Sequence, residues 1–310
     1  MVRTLRNSAA PAGPALLLTL IATDRLPPIA DDLVSAIIAG IEEAGGHVGD
    51  ITWIEPGRAV DIPVQGLPKD SHLRPVVTEK LGDAQVDAVI QSNPRRDVKL
   101  LISDMDSTII QEESLDELAA QFDLKDEIAA ITEKAMRGEM DFAEALRTRV
   151  AMLKGAPEQA LLAVDERLTY MPGARRMVRG FRDAGVRCLL VSGGFTHFTT
   201  GVAQQLGFHD SWGNRLIIDH GFLTGEVGDP IRGGDEKRIV LMEQCFENDI
   251  DPDETLAVGD GANDIPMLEA AGLGIAFHAK PAVVYAAPAA IVHSDLTALL
   301  YIAGLTIPPK

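Results

Sequence analysis

The chain is short of cysteine, of clustered positive charge and of long apolar runs, and each shortage removes a class of protein. Only two cysteines occur among 310 residues, too few for a disulfide framework. Cys188 falls in an apolar run and Cys245 in a helical one, where thiols pack rather than react, so a reducing, cytoplasmic setting is expected. No apolar run approaches the ~20 residues that span a bilayer. Arg3 and Arg6 ahead of residues 15–22 loosely mimic a signal peptide, but the same run reads well as the first strand of a domain. The formal charge is -18, and no basic patch is larger than Arg95-Arg96 or Arg175-Arg176. Nucleic acid and anionic membrane are therefore not expected partners. There is no internal repeat and no low-complexity segment.

The length of 310 residues exceeds that of a usual single domain and predicts two units plus an inserted segment. An apolar content of 46% is ordinary for a globular protein with a sizeable core. Up to residue 96 the pattern parses as strand (15–22), helix (29–44), strand (51–55), strand (59–64), helix (69–82) and strand (87–91). That order predicts a ferredoxin-like α+β domain, with Ser92-Asn93-Pro94-Arg95-Arg96 as the linker. Its plain role is packing or dimerisation, so a homodimer through this domain is one expected assembly.

The chemistry begins at Leu100-Leu101-Ile102-Ser103-Asp104-Met105-Asp106-Ser107-Thr108. An apolar strand here ends in two carboxylates two residues apart, and side chains at that spacing project to the same face. Close like charges resist joint ionisation unless a cation intervenes, so a divalent metal is expected. Three more clusters end or follow other apolar runs. Residues 186–191 lead into Ser192-Gly193-Gly194, whose hydroxyl and exposed N–H groups suit an anion. Residues 255–258 lead into Gly259-Asp260-Gly261-Ala262-Asn263-Asp264. Gly233-Gly234-Asp235-Glu236-Lys237 opens a helix with Lys237 in its first turn, where the helix dipole favours anions and does not account for a lysine. Singly, these are an ordinary turn, a loop and a surface charge. Together they would converge beyond the carboxyl ends of the strands of an open parallel sheet, where such folds bind ligands. Residues 112–169 are almost wholly helical by pattern. From Phe142 a stripe of Ala145, Leu146, Val150 and Leu153 faces inward, with Arg149 on it and Arg147 off it. Residues 215–227, turning at Asp219-His220-Gly221, predict a hairpin on the rim.

These four clusters, in this order, resemble the motifs of the haloacid dehalogenase superfamily of aspartyl-phosphate hydrolases. The matches are Asp104-Met105-Asp106-Ser107-Thr108, Ser192-Gly193-Gly194-Phe195, Lys237 and Gly259-Asp260-Gly261-Ala262-Asn263-Asp264. The second aspartate resembles that of its phosphatases and phosphomutases. Residues 111–117 and 142–150 carry the likeness further, to the phosphoserine phosphatases. The implied fold is α/β, a Rossmann-like parallel sheet (residues 97–111 and 171–310) with an inserted α-helical cap (112–170) and the N-terminal α+β domain (1–96). Related phosphatases carry an amino-acid-sensing, ACT-like domain at that end, and the parse here is similar. Where such domains place a glycine after the first strand, this chain has Asp24-Arg25-Leu26-Pro27-Pro28, which argues against serine feedback.

The resemblance implies a set of roles. Asp104 would be the nucleophile, forming an aspartyl phosphate, and Asp106 the general acid and then base. Mg2+ would be held by the Asp104 carboxylate, the Asp106 backbone carbonyl and Asp260, with Asp264 orienting them. Lys237, Ser192 and the Gly193 amide would hold phosphoryl oxygens, and Asn263 would help hold the substrate. Glu113 would take the substrate ammonium and Arg149 its carboxylate, with Met136 and Phe142 lining the pocket. The activity implied is magnesium-dependent hydrolysis of O-phospho-L-serine in L-serine biosynthesis. A phosphotransferase sharing the same intermediate, and a receiver-like phosphoaspartate switch, stay open at this level. The acidic balance does not forbid an anionic substrate. The Debye length is about 8 Å at physiological salt, whereas a charge pair about 4 Å apart contributes roughly 4 kcal/mol at an effective dielectric of about 20.

Overall fold

The computed structural model describes residues 16–67, 70–92, 97–136 and 139–309. The chain divides into two units, Met1–Arg96 and Asp97–Lys310. Ala15, Arg3, Arg6, Lys69 and the linker residues 93–96 lie outside the described residues. No described helix is long and apolar enough to cross a membrane.

The first unit runs β1 (Leu16–Ile21), α1 (Asp31–Glu43), β2 (His47–Val48), β3 (Thr52–Glu55), β4 (Ala59–Gln65), α2 (Asp70–Leu81) and β5 (Asp87–Gln91). The strands form one antiparallel sheet in the order β2-β4-β1-β5, with β3 also on β4. All six residues of β1 are buried, as expected of a strand paired on both edges. The apolar stripe of α1 (Val34, Ile37, Ile41) packs into the same core as Leu18, Leu20 and Ile62. Two-residue β2 escaped the sequence reading because it is too short to show alternation. The loop after β1 is laced by Arg58, whose guanidinium donates to the carbonyls of Thr23 (3.2 Å) and Leu26 (2.7 Å).

The second unit opens with β6 (Leu100–Ser103) and a helical insertion, α3 (Ser114–Ala120), α4 (Lys125–Met136), α5 (Phe142–Met152) and α6 (Gln159–Asp165). It continues with α7 (Ala174–Asp183), β7 (Arg187–Phe195), α8 (Thr196–Leu206), β8 (Asp210–Asp219), β9 (Phe222–Gly228) and α9 (Gly234–Glu247). Last come β10 (Thr255–Gly259), α10 (Ile265–Ala270), β11 (Leu273–Phe277), α11 (Pro281–Ala286), β12 (Ala289–Ile291) and α12 (Ala298–Ile302). The sheet order is β12-β11-β10-β6-β7-β8-β9, parallel from β12 to β8 and antiparallel only at β8–β9. Leu100, Leu101 and Ile102 are wholly buried, the mark of a strand covered on both faces.

Two details differ from the sequence reading. The hairpin stands at the rim as expected, with β9 the edge strand, but its first strand begins earlier, at Asp210, and also pairs in parallel with β7. Strand β7 also runs on through Ser192-Gly193-Gly194 to Phe195, with its register against β8 broken between Val191 and Phe195. The irregularity bends the strand without ending it.

The insertion enters and leaves side by side. Ile110 and Tyr170 form a β-bridge, the Gln111 N–H donates to the Thr169 carbonyl (2.9 Å) and the Met171 N–H to the Ile109 carbonyl (2.8 Å). A second attachment joins residues 155–158 to the hairpin. The Gly155 N–H donates to the Leu223 carbonyl, the Leu223 N–H to that of Ala156, and the Glu158 N–H to that of Gly221, each at 2.8–2.9 Å.

Candidate active site

Central strand β6 and its neighbours β7 and β10 end at one edge of the sheet, and the polar residues that follow them meet there. The Asp104 N–H still pairs with the Val258 carbonyl of β10 (3.0 Å), so Asp104 is held as an extension of the strand. The chain then folds over fully buried Met105, whose carbonyl accepts from the N–H groups of Thr108, Ile109 and Ile110. Ser107 adopts φ 55°, the left-handed region that is uncommon for a residue with a Cβ. This turn brings Asp106 and Glu113 back over the strand end.

Lys237 sits at the centre. It is 1% exposed, and its Nζ donates to Asp104 Oδ1 and Asp264 Oδ1, each at 2.5 Å. Asp264 accepts through Oδ2 from the N–H groups of Asp260 (3.1 Å) and Gly261 (2.9 Å). Its oxygens are thus engaged by one ammonium and two amides, which suits an orienting residue. Asp260 accepts from Thr108 Oγ1 (3.2 Å). Carboxylate oxygens of Asp104, Asp260 and Asp264 lie within 4.8 Å of one another.

The electrostatics of this cluster follow from its count of charges. Burial works against the Lys237 ammonium, but Asp104 and Asp264 overcome it and hold its pKa above the ordinary value. Burial, then Asp264, push Asp104 well up, against the pull of Lys237. Asp260 is pushed up to about 6, by burial and by Asp264. One buried ammonium is shared among three carboxylates, so the lysine is over-supplied with partners and the acids stay short of positive charge. An all-oxygen set in that state fits a hard divalent cation.

Asp106 belongs to a different network. Its Oδ1 accepts from the Ser114 N–H at the start of α3 (2.7 Å) and its Oδ2 from Ser192 Oγ (2.9 Å). The Gly194 N–H in turn donates to Ser192 Oγ (2.8 Å). The two aspartates therefore share a pocket but lean on opposite neighbours, Asp104 toward β10 and α9, Asp106 toward β7. A Cβ on Gly194 would come within 2.9 Å of Asp106 Oδ2, so a side chain there would force the acid to move.

The insertion supplies a second pair of charges. Glu113 Oε1 accepts from Ser107 Oγ (2.7 Å); the residue as a whole is exposed, but desolvation of its carboxyl, followed by the Asp106 charge, pushes its pKa up to about 7. Arg149 donates from Nε to the Ala145 carbonyl (3.3 Å) and from Nη1 to Thr132 Oγ1 (3.1 Å). Burial disfavours its charge while Asp116 and Glu113 support it. Arg147, off the stripe, reaches out to Asp229 at 3.2 Å. Phe142 at the start of α5 lays its ring on two glycines: a Cβ on Gly193 would lie 3.1 Å from its Cζ, and one on Gly233 2.9 Å from its Cδ1. Asn263 is half-buried and folds its Oδ1 over Gly261. The side chain of Met136, at the end of α4, lies outside the described residues.

Four residues of this neighbourhood were not singled out from the sequence: Thr108, Ser114, Asp116 and Asn214. Thr108 and Ser114 stand inside or beside motifs already chosen. Asp116, half-buried between Arg149 and Lys125, looked like one of several acids at a helix start. Asn214 left one signal, an amide directly after Gly213 in a strand.

The profile of the haloacid dehalogenase-like hydrolases matches residues 101–269. The chain belongs to this family. It is 39% identical over 289 residues to a phosphoserine phosphatase of Mycobacterium tuberculosis, covering 90% of this chain and 69% of that protein. It is 49% identical over 210 residues to a phosphoserine phosphatase of Albidiferax ferrireducens, covering 66% of this chain and 89% of the relative. Among solved structures, a probable phosphoserine phosphatase of Vibrio cholerae in unliganded form superposes with a TM-score of 0.73 at 31% identity, covering 94% of this chain and 86% of that one. As a member of the hydrolase family, the chain presents its four motif segments at one end of the sheet, where Asp104, Asp106, Ser192, Lys237 and Asp260 are brought together.

Proposed function

We propose that this chain is a phosphoserine phosphatase, hydrolysing O-phospho-L-serine to L-serine and phosphate. One observation carries the reading: beside the buried lysine–carboxylate cluster the insertion sets an acid, Glu113, hydrogen-bonded to Ser107 of the Asp104–Thr108 motif, and a guanidinium, Arg149, on the helix whose Phe142 ring covers Gly193 and Gly233. Phosphoserine carries an ammonium, a carboxylate and a phosphate, and that is the complementary set. Glu113 takes the ammonium and Arg149 forks onto the carboxylate, a planar contact for which lysine is no substitute. Phe142 lines the pocket between, and Asn263 steadies the substrate. The names of the relatives support the same substrate.

The chemistry follows in two displacements. Asp104 attacks phosphorus with the oxygen not engaged by Lys237, the bond to the seryl oxygen breaks, and Asp106 gives that oxygen its proton. Asp106, now a carboxylate, takes a proton from water as the water attacks phosphorus, releasing phosphate and restoring Asp104. Lys237, Ser192 and the Gly193 amide hold the equatorial oxygens over which transition-state charge spreads. Magnesium, held by the Asp104 carboxylate, the Asp106 backbone carbonyl and Asp260 with Asp264 orienting them, would supply the positive charge the acids lack. We read the helical insertion as a cap that excludes bulk water. We read the first unit as ferredoxin-like and ACT-like in topology, serving packing or dimerisation, because Arg58 already fills the loop after β1.

The test is phosphate release across a panel of phosphorylated metabolites, with magnesium and with chelator. Phosphoserine should exceed phosphoethanolamine, which lacks the carboxylate, and phosphoglycolate, which lacks the ammonium, by at least about tenfold each. Equal rates on all three, or full activity in chelator, would overturn the proposal. Competition by added hydroxy amino acids as acceptors separates hydrolysis from phosphoryl transfer.

A further inference from the structure

Strand β8 carries a polar side chain that the mechanism above does not use. Asn214 is wholly buried, yet every hydrogen-bonding hydrogen on its amide is spent on main chain from two other segments. Its Nδ2 donates to the Gly193 carbonyl (2.8 Å) and to the Arg232 carbonyl (3.0 Å), and its Oδ1 accepts from the Arg232 N–H (2.7 Å). The pairing with an N–H on one side and carbonyls on the other settles which way the amide faces. No other side chain of this length offers two donors and an acceptor.

The two segments are those that meet the phosphate. The Gly193 carbonyl is one end of the peptide plane whose other end, the Gly194 N–H, donates to Ser192 Oγ, which donates to Asp106 Oδ2. That plane is gripped at both ends, so turning the peptide breaks both contacts. Arg232 directly precedes Gly233, the N-cap of α9, whose carbonyl accepts from the Lys237 N–H (3.4 Å). The Phe142 ring rests on Gly193 and Gly233 alike, as on a single platform.

We propose that Asn214 is a positioning residue for phosphoryl transfer: it staples the Ser192–Gly194 segment to the start of α9, setting the Gly193 amide and the Lys237 ammonium at one fixed separation. The inference rests on the phosphatase reading and adds a residue through which its phosphate contacts act together. It touches neither substrate nor reacting atoms. A misplacement of about 1 Å far from the chemistry costs about 10²-fold in rate, and equatorial contacts tighten most in the transition state.

The test compares Asn214→Ala and Asn214→Asp with the wild type. Expected are a kcat lower by about 10²-fold, a KM for phosphoserine changed by less than about threefold, and inhibition by orthovanadate weakened at least about tenfold. Product inhibition by L-serine should stay within about twofold, because Glu113 and Arg149 are untouched. Asn214→Asp should do no better than Asn214→Ala, since a carboxylate would face two carbonyls. Wild-type kcat in folded variants, or parallel losses for vanadate and L-serine, would overturn the proposal and mark Asn214 as merely structural. Should neither variant fold, amide exchange on the wild type decides. The Arg232 and Gly194 N–H groups should be protected, and exchange of the Arg232 N–H at the free-peptide rate would end the case. A wild type inert toward phosphoserine removes the phosphatase reading instead, while the exchange experiment still judges the staple.

Discussion

Replacing Lys237 with methionine isolates the charge balance of the site. The ammonium is 1% exposed and 2.5 Å from both Asp104 and Asp264, and methionine fills most of its volume at a packing cost below about 1.5 kcal/mol. Asp264 keeps its two amide donors, so the loss falls on Asp104. Breaking a buried pair from one side typically costs about 3–5 kcal/mol, but an orphaned acid can escape by taking a proton. That escape caps the penalty at about 1.36 kcal/mol for each pH unit above its unfolded pKa of about 3.9, or about 4 kcal/mol at pH 7 and about 1.5 kcal/mol at pH 5. The sign is fixed by linkage. Asp104 is already pushed well up in the wild type, and without the ammonium that opposes burial and Asp264 it rises further, so the variant's folded state binds more protons still. Stability then falls as pH rises above about 3.9 and returns as it drops. Urea melts of both proteins in chelator at pH 5 and pH 7 read the two penalties. A penalty below about 1 kcal/mol at pH 7, or one larger at pH 5 than at pH 7, would refute the reasoning.

Three further outcomes follow from the same geometry. Asp106→Asn keeps an oxygen for the Ser114 N–H and turns its amide toward Ser192 Oγ, so folding and phosphoserine binding should persist while kcat drops about 10²–10⁴-fold. Near-normal turnover, measured as phosphate release, would exclude the proton role. With Glu113 pushed up to about 7, its charged form is lost as pH falls through neutrality, and kcat/KM for phosphoserine should fall about tenfold per unit below that point. Glu113→Gln should remove this part of the acid limb, leaving those of the phosphate and of the raised carboxylates Asp104 and Asp260, and an unchanged profile would unseat Glu113 as the ammonium partner. Gly194→Ala places a methyl 2.9 Å from Asp106 Oδ2 and should lose about 1–3 kcal/mol of stability together with activity; a melt and rate equal to wild type would show that the contact is slack.

Much of the parallel sheet and of its polar edge is legible in the sequence, because β6, β7 and β10 are buried on both faces and their composition changes abruptly where they end. Asp104 and Asp260 stand just past such ends, and Ser192 where the apolar run of β7 stops although the strand itself continues to Phe195. What is not legible depends on partners remote in sequence. Asn214 is an amide in a strand whose contacts, Gly193 and Arg232, are backbone atoms that no side-chain pattern announces. Thr108 acquires meaning only when β10 brings Asp260 beside it. The irregular stretch from Val191 to Phe195 is likewise set by pairing with β8, and glycines there read locally as a turn. The hairpin and its place on the rim are legible from its turn residues, but not the parallel pairing of its first strand with β7, since that strand serves two neighbours at once.

The backbone ladder between residues 155–158 and the hairpin has a mechanical meaning. Because β8 is itself a member of the central sheet, α5 is tied through β9 to the same rigid frame that carries the two aspartates. Phe142 and Arg149 thus stand on the helix that is tied to the sheet, and Arg149 passes that tie on to Thr132 of α4. On the proposed reading, Arg149 would take the carboxylate of the ligand from a helix tethered to the sheet, and Glu113 its ammonium from the start of α3.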